Sequence, residues 1–277
     1  MVQFNLKPGI DHYCVMGNPV AHSKSPRIHQ AFASQTGQSL DYQAVLVPEN
    51  EFAETLEAFR QQGGKGVNVT LPFKESAWEA ATARTERAGR AGAVNTIWFE
   101  DSMVHGDNTD GIGLIRDLRD NLDCPLQGRD ILILGAGGAV RGIIDPLFDA
   151  GVASIALANR TVVRAQRLAE KFADRGAIHA VSYPALTGSY AVIINGTSLS
   201  LQNEVPPLPD GVLAAGGIAY DMMYQPTATC FMRWAAEREG GMTADGLGML
   251  VEQAAESFCI WRGVRPETAP VIAELRA

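Results

Sequence analysis

The stretch Ile131-Leu-Ile-Leu-Gly-Ala-Gly-Gly-Ala-Val-Arg-Gly142 decides the fold. Four consecutive apolar residues, Ile131 to Leu134, read as a short strand buried on both faces, as in the middle of a parallel sheet. Gly135, Gly137 and Gly138 allow a tight turn and the close approach of a ligand to the backbone. A helical pattern starts at once, so the free N–H groups of its first turn face whatever lies above the glycines. The usual ligand of such a strand, turn and helix is a dinucleotide pyrophosphate. Val140 stands where G-x-G-x-x-G has its third glycine. The stretch also fits a turn that only packs helix on strand, and its surroundings must choose between the two.

Downstream, the pattern predicts a helix to about Asp149, a strand over 154–158, a helix over 161–173, and strands over 177–181 and 191–195. This is a βαβαβ rhythm of the doubly wound kind. A polar, proline-bearing loop over 197–212, a strand over 218–222, a helix over 228–238 and a strongly periodic helix over 247–261 follow. Upstream, a lead-in over 1–9 precedes a strand over 13–16. Ser25 and Pro26 read as the N-cap and first residue of a helix ending at Gly37. A strand over 42–47 leads to a second helix, capped by Asn50, with Phe52, Leu56 and Phe59 on one face and Gly63 as its stop. A strand over 66–70, a helix after Lys74, and a hairpin of 94–99 with 103–105 complete a first α/β unit. A helix opened by Gly106-Asp-Asn-Thr-Asp-Gly111 and reaching about Asn121 joins it to the second unit.

Composition narrows the function. A net charge of −8 without a basic run argues against nucleic acid as a partner. No stretch approaches membrane-spanning length and no basic start precedes an apolar run, so a cytoplasmic protein is expected. Cys14, Cys124, Cys230 and Cys259 lack C-x-x-C spacing and read as free thiols. His12, His22, His29, His105 and His179 show no ligand spacing, so no metal is expected. G-x-S-x-G is absent, and Gly63-Gly-Lys-Gly66 lacks the Walker A spacing.

An NAD site places a carboxylate at the tip of the second strand to hold the ribose 2′-hydroxyl. Here that tip reads Asn159-Arg160-Thr161-Val-Val-Arg164. Two arginines and a threonine suit a 2′-phosphate, which points to NADP. Lys74, after Asn68-Val-Thr-Leu-Pro-Phe, and Asp110 both fall just past strand ends, the edge where open α/β sheets bind ligands. A lysine beside a carboxylate there forms a proton-transfer pair. Singly, Lys74 also reads as a solvated lysine and Asp110 as a helix cap. Ser23 and Ser25, flanking Lys24, can hold a carboxylate or cap a helix.

Seven ordered motifs bring these features together: Gly17-Asn-Pro…His-Ser-Lys-Ser-Pro26, Asn68-Val-Thr-Leu-Pro-Phe-Lys74, Gly92-Ala-Val-Asn-Thr96, Gly106-Asp-Asn-Thr-Asp-Gly111, Gly135-Ala-Gly-Gly-Ala139, Asn159-Arg-Thr161 and Ala244-Asp-Gly-Leu-Gly-Met-Leu-Val-Glu-Gln253. In that order, from about Tyr13 to Val271, they resemble the biosynthetic, NADP-dependent shikimate dehydrogenases. The resemblance implies a mixed α/β substrate domain over 1–109 and 245–277, and a Rossmann-like, doubly wound NADP domain over 110–244. It implies reversible reduction of 3-dehydroshikimate to shikimate in the chorismate and aromatic amino-acid pathway, by a monomer or homodimer.

By the same resemblance, Ser23 and Ser25 would hold the substrate carboxylate, with Tyr224 and Gln253 nearby. Thr70, Asn95, Lys74 and Asp110 would meet the ring hydroxyls and the reacting oxygen. Gly135, Ala136, Gly137, Gly138 and Ala139 would take the pyrophosphate. Asn159, Arg160, Thr161 and Arg164 would take the 2′-phosphate. Met222 and Gly246 would line the nicotinamide, with Glu86 near the cofactor. The chain departs from the family's usual pattern at Gly196, Ser200, Leu201, Val140 and Cys230. An NAD-linked quinate/shikimate dehydrogenase and a non-catalytic NADP-sensing regulator are the alternatives that this pattern leaves open.

Overall fold

The computed structural model describes residues 3–238 and 241–277, so Met1 and Val2 of the lead-in lie outside the described residues. The chain divides into two compact units. One comprises Met1–Asp110, Val251–Leu275 and Ala277, the other Gly111–Leu250 and Arg276.

The first unit runs β1 (Asp11–Gly17), α1 (Ser25–Thr36), β2 (Leu40–Leu46), α2 (Phe52–Gln61), β3 (Gly66–Val69), α3 (Lys74–Ala80), β4 (Ala83–Arg84), α4 (Glu86–Ala91), β5 (Thr96–Glu100) and β6 (Met103–Asp107). Its sheet has the order β2-β1-β3-β5-β6-β4. Strand β1 pairs in parallel with β2 and β3, while β3, β5 and β6 run antiparallel in turn. The expected stripe of α2, Phe52, Leu56 and Phe59, packs with Cys14, Met16, Val67 and Val69 into one core.

Two helix starts differ from expectation. Lys24 already has helical angles (φ −81°, ψ −8°), so it is the N-cap of α1 and Ser25 lies inside the first turn. The N–H of Ser25 is met instead by Ser23 Oγ at 3.2 Å. Helix α2 is capped by Glu51 with no side-chain hydrogen bond, because Pro48 to Glu51 close a backbone turn that takes up Asn50. Strand β4 and helix α4 escaped the sequence pattern, being only two and six residues long.

The second unit continues with α5 (Asp110–Arg116) and a π-helical turn (Asp117–Asn121). Then come β7 (Asp130–Leu134), α6 (Gly138–Asp149), β8 (Ser154–Ala158), α7 (Val162–Lys171), β9 (Ala177–Val181), β10 (Tyr190–Asn195), β11 (Leu213–Asp221), α8 (Cys230–Arg238) and β12 (Met242–Asp245). Helices α9 (Leu247–Arg262) and α10 (Ala269–Arg276) end the chain. The sheet is parallel throughout in the order β12-β11-β10-β7-β8-β9, so strand order reverses between β7 and β10. That reversal is the switch point of a doubly wound sheet. The run of four apolar residues in β7 is used on both faces. Ile131 and Ile133 pack with Ile143, Ile144 and Leu147 of α6, whereas Leu132 and Leu134 pack with Tyr183, Phe231 and Ala235. Strand β11 begins at Leu213, ahead of the expected Ile218. Gly216 and Gly217 are absorbed where the β10–β11 register shifts, with Gly216 at φ +72°.

Candidate active site

In the first unit, the ends of three strands bring the acid–base residues together. Asn95, just before β5, is stitched between its neighbours: Val69 N–H donates to Asn95 O at 2.8 Å, and Asn95 N–H donates to Asp107 O at 3.0 Å. Lys74 opens α3, and its carbonyl accepts from Val94 N–H at 2.9 Å. Asp110 opens α5 after the turn that leaves β6, and in that turn Asn108 Oδ1 accepts from Asp110 N–H at 3.2 Å. The result is an ion pair, with Lys74 Nζ donating to Asp110 Oδ2 at 2.5 Å. The two side chains are only 17% and 8% exposed, so little water screens their attraction.

The other carboxylate oxygen, Asp110 Oδ1, accepts from Asn95 Nδ2 at 2.7 Å. Asn95 is held in turn by Thr109 and Thr96, and its amide lies 3.3 Å from Gln253 Oε1. Deeper still, Asn68 Nδ2 donates to Ser257 Oγ at 3.0 Å, and Tyr42 Oη donates to Asn68 Oδ1 at 2.8 Å. Burial pushes the Tyr42 phenol well above its ordinary range, Cys14 adds to the shift, and a hydrogen bond with the Ser25 hydroxyl opposes it. One continuous chain of hydrogen bonds therefore links Tyr42 to the Lys74–Asp110 pair. Buried polar groups connected in this way hold one arrangement.

Of the expected substrate residues, Asn95, Lys74, Asp110 and Gln253 belong to this chain of contacts. Ser25 is buried at the start of α1, and its N–H donates to Ser23 Oγ. Thr70 is half-buried and donates its N–H to Met16 O at 3.0 Å, and its methyl lies so close to Gly17 that a side chain there would collide. Tyr224 lies in the second unit, half-buried, with its phenol raised by burial. Glu86 is 90% exposed in the first turn of α4, 3.9 Å from Arg90. The sequence reading missed Asn68, Thr96, Thr109 and Ser257. Two had a signal: Asn68 shares a strand face with Thr70 opposite apolar Val67 and Val69, and Ser257 is one helical turn from Gln253.

In the second unit, Gly135 follows β7 at φ +107°, a conformation that favours glycine. Gly137 is the N-cap of α6, and a Cβ there would meet nothing within 4 Å. That open space above the first turn of α6 is what a phosphate approaching the backbone needs. At the tip of β8, Arg160, Thr161 and Arg164 are exposed. No carboxylate among the described residues forms an ion pair with either arginine, and Thr161 caps α7 without spending its hydroxyl. Two unpaired guanidinium groups and a free hydroxyl fit a phosphate dianion. Met222 and Gly246 lie together, since a side chain at 246 would collide with the Met222 backbone. The residues present thus fit NADP.

Comparison with known proteins agrees with this geometry. The sequence profile of the shikimate dehydrogenase substrate binding domain matches residues 15–97, that of shikimate/quinate 5-dehydrogenase matches 118–202, and that of the shikimate 5′-dehydrogenase C-terminal domain matches 246–276. The shikimate dehydrogenase (NADP(+)) of Alkalilimnicola ehrlichii is 55% identical over 96% of this chain and 98% of its own. The chain belongs to the shikimate dehydrogenase family. The Hahella chejuensis shikimate dehydrogenase (NADP(+)) is 54% identical over 96% and 99% of the two chains. Among solved structures, shikimate 5-dehydrogenase of Thermus thermophilus in complex with NADP(H) and shikimate superposes with a TM-score of 0.87 at 33% identity, covering 96% of this chain and 99% of that one. No group of three or more His, Cys, Asp or Glu able to hold a metal occurs among the described residues, and no helix there is long and apolar enough to cross a membrane. All four cysteines are free.

Proposed function

We propose that this chain catalyses the NADP-linked, reversible reduction of 3-dehydroshikimate to shikimate, with Lys74 and Asp110 managing the proton. The observation that carries this reading is the partly buried Nζ–Oδ2 contact of 2.5 Å at the end of a hydrogen-bonded amide network. When bound, the reduced nicotinamide supplies a hydride to the carbonyl carbon. The chain's own residues do the rest. Ser23 and Ser25 donate hydroxyl hydrogen bonds to the substrate carboxylate. Thr70 and Asn95 orient the ring hydroxyls, and Tyr224 and Gln253 serve the carboxylate end.

The forming alkoxide needs one proton, and it passes through the Lys74–Asp110 pair. In the opposite direction the same pair takes that proton from the substrate hydroxyl. Asn95 fixes Asp110 through Oδ1, leaving Oδ2 to the lysine, so the pair meets the substrate already oriented. Gly135 to Ala139 hold the pyrophosphate and Asn159 to Arg164 the 2′-phosphate. We place the enzyme in the cytoplasm, as a monomer or homodimer acting on small molecules, since its free thiols suit a reducing compartment.

The test is an absorbance assay at the reduced-nicotinamide band, with shikimate or quinate offered against NADP and NAD. Turnover of shikimate with NADP, well above the other three combinations, is expected. Absence of turnover in all four would overturn the enzymatic reading, and preference for quinate with NAD would move the assignment to the quinate branch of the family.

A further inference from the structure

Asp221 is the last residue of β11, has no exposed surface, and takes no part in the chemistry above. Its carboxylate gathers four hydrogen bonds from four different segments. Oδ1 accepts from Asn195 Nδ2 and from Met223 N–H, each at 3.1 Å. Oδ2 accepts from Ser200 Oγ at 2.6 Å and Thr229 Oγ1 at 2.7 Å. Asn195 ends β10, Ser200 lies in the short turn Leu199–Gln202, Thr229 precedes α8, and Met223 follows β11. Four donors fill the acceptor capacity of the two oxygens.

What hangs from this carboxylate is the segment that faces the glycine turn after β7. Asn195 Oδ1 accepts from Thr197 N–H at 3.1 Å and Thr197 Oγ1 at 2.7 Å, so residues 196 to 200 are tied to Asp221 at both ends. Gln225 adds a third tie, its Nε2 donating to Ser200 O at 3.2 Å. The pinned segment stands against the glycine turn: a Cβ on Gly135 would lie 3.2 Å from Gly196 O and 3.3 Å from Thr197 Cγ2. On its other side, a Cβ on Gly196 would lie 3.3 Å from Met222 Sδ. Met222 itself lies between Asp221 and Met223, whose N–H the carboxylate engages. Backbone bonds also hold segment 196–200 and Met222, Gly196 N–H to Leu134 O and Met222 N–H to Asn195 O, each at 2.9 Å, and Asp221 supplies the side-chain ties.

We propose that Asp221, acting through Ser200 and Asn195, is a positioning residue that shapes the nicotinamide end of the cofactor site without touching the cofactor. The proposal rests on the NADP reading above. Its reach is local: the adenosine 2′-phosphate site at Asn159–Arg164 lies at the tip of a different strand, β8, and shares no hydrogen bond with the clamp. Loss of one tie should loosen the nicotinamide wall and leave the adenosine end as it was. A merely structural tie would lower stability and weaken both ends alike, or neither.

The experiment is calorimetric titration of wild-type, Ser200→Ala and Asp221→Asn proteins with NADPH and, separately, with 2′,5′-ADP, which keeps the phosphorylated adenosine half and lacks nicotinamide. Melting is followed by circular dichroism in parallel. Ser200→Ala removes one hydroxyl and leaves the carboxylate three donors, so it keeps the test open should Asp221→Asn fail to fold. For Ser200→Ala, NADPH affinity should fall about three- to tenfold, the scale of one ordinary net hydrogen bond. Its 2′,5′-ADP affinity should stay within about twofold of wild type. Equal losses for the two ligands, or no loss for either, would overturn the proposal. Failure of the wild-type protein to bind either ligand would instead overturn the cofactor reading, and the proposal with it.

Discussion

Val140 fills the space that a side chain at position 196 would need: a Cβ on Gly196 would lie 2.5 Å from Val140 Cγ2 and 3.3 Å from Leu134 O. The resemblance implies other residues at both positions, and this contact couples the two. Val140 is fully buried on α6, and a β-branched side chain has little rotamer freedom with which to give way. Overpacking typically costs about 1–3 kcal/mol, so Gly196→Ala should lower stability by an amount in that range. Val140→Ala in the same chain should recover most of the loss. Urea unfolding of the two single variants and the double variant measures the coupling, and additive effects would show that the two side chains do not share this space.

Cofactor choice follows from Arg160, Thr161 and Arg164. A charge-assisted contact to phosphate is worth about 1.5–3 kcal/mol, so kcat/KM should favour NADP over NAD by about tenfold or more. Arg160→Ala should narrow that ratio mainly by raising KM for NADP. Steady-state kinetics with both cofactors decide it, and equal values for the unmodified protein would remove the role assigned to the arginines.

The serine pair separates stability from binding. Ser23 Oγ, not Ser25, accepts the N–H at the start of α1. Ser23→Ala should therefore cost about 0.5–1.5 kcal/mol, the usual net value of one hydrogen bond, and raise KM for shikimate. Ser25→Ala should raise KM as well, with no capping loss. Quinate carries a further hydroxyl on a tetrahedral carbon, and leaving it buried without a partner costs about 1–3 kcal/mol. Shikimate should thus be preferred by about one to two orders of magnitude in kcat/KM. Comparable turnover of quinate would show that the serine loop does not discriminate.

His29 should make the first unit sensitive to acid. It is fully buried, stacked 4.2 Å from Tyr42, with Phe32, Phe258 and Trp261 around it, and neither ring nitrogen has a hydrogen-bond partner in the structure. Burial lowers its pKa to about 3, with the Asn68 side chain opposing. An unfolded histidine titrates near pH ~6.5. Between those two values the unfolded chain binds a proton that the folded chain refuses, so stability falls as pH falls. The slope from this one group is about 1.4 kcal/mol per pH unit. The phenol of Tyr42 and the thiol of Cys14 beside it are both raised and do not titrate in that window. Unfolding free energies at several pH values should show a shallower acid limb in His29→Phe, and equal limbs would remove His29 from the account.

Much of this architecture was legible because its signals are local. The apolar run 131–134, the glycine turn and the missing carboxylate at 159–164 lie within short windows, and each maps onto one element of the second unit. What escaped was either short or non-local. Strands β4 and β12 have two and four residues and take their identity from a pairing partner rather than from their own pattern. Ser25 offered a good cap by type, but whether it caps depends on the backbone angles of Lys24, which composition does not encode. The polar network behind Lys74 and Asp110 joins residues from 42 to 257, and only Asn68 and Ser257 carried a periodic hint. The coupling of Val140 to Gly196 is likewise a contact between separate elements.

The most direct test of the central claim is the kcat of Lys74→Ala, measured beside its melting curve and its calorimetric affinity for NADP. Positioned proton transfer typically contributes about 10²–10⁴-fold, so kcat should fall within that span. NADP affinity should stay within about twofold of wild type, because Lys74 contacts Asp110 in the first unit and none of the residues assigned to the dinucleotide. A folded Lys74→Ala protein that keeps most of its kcat would contradict the account.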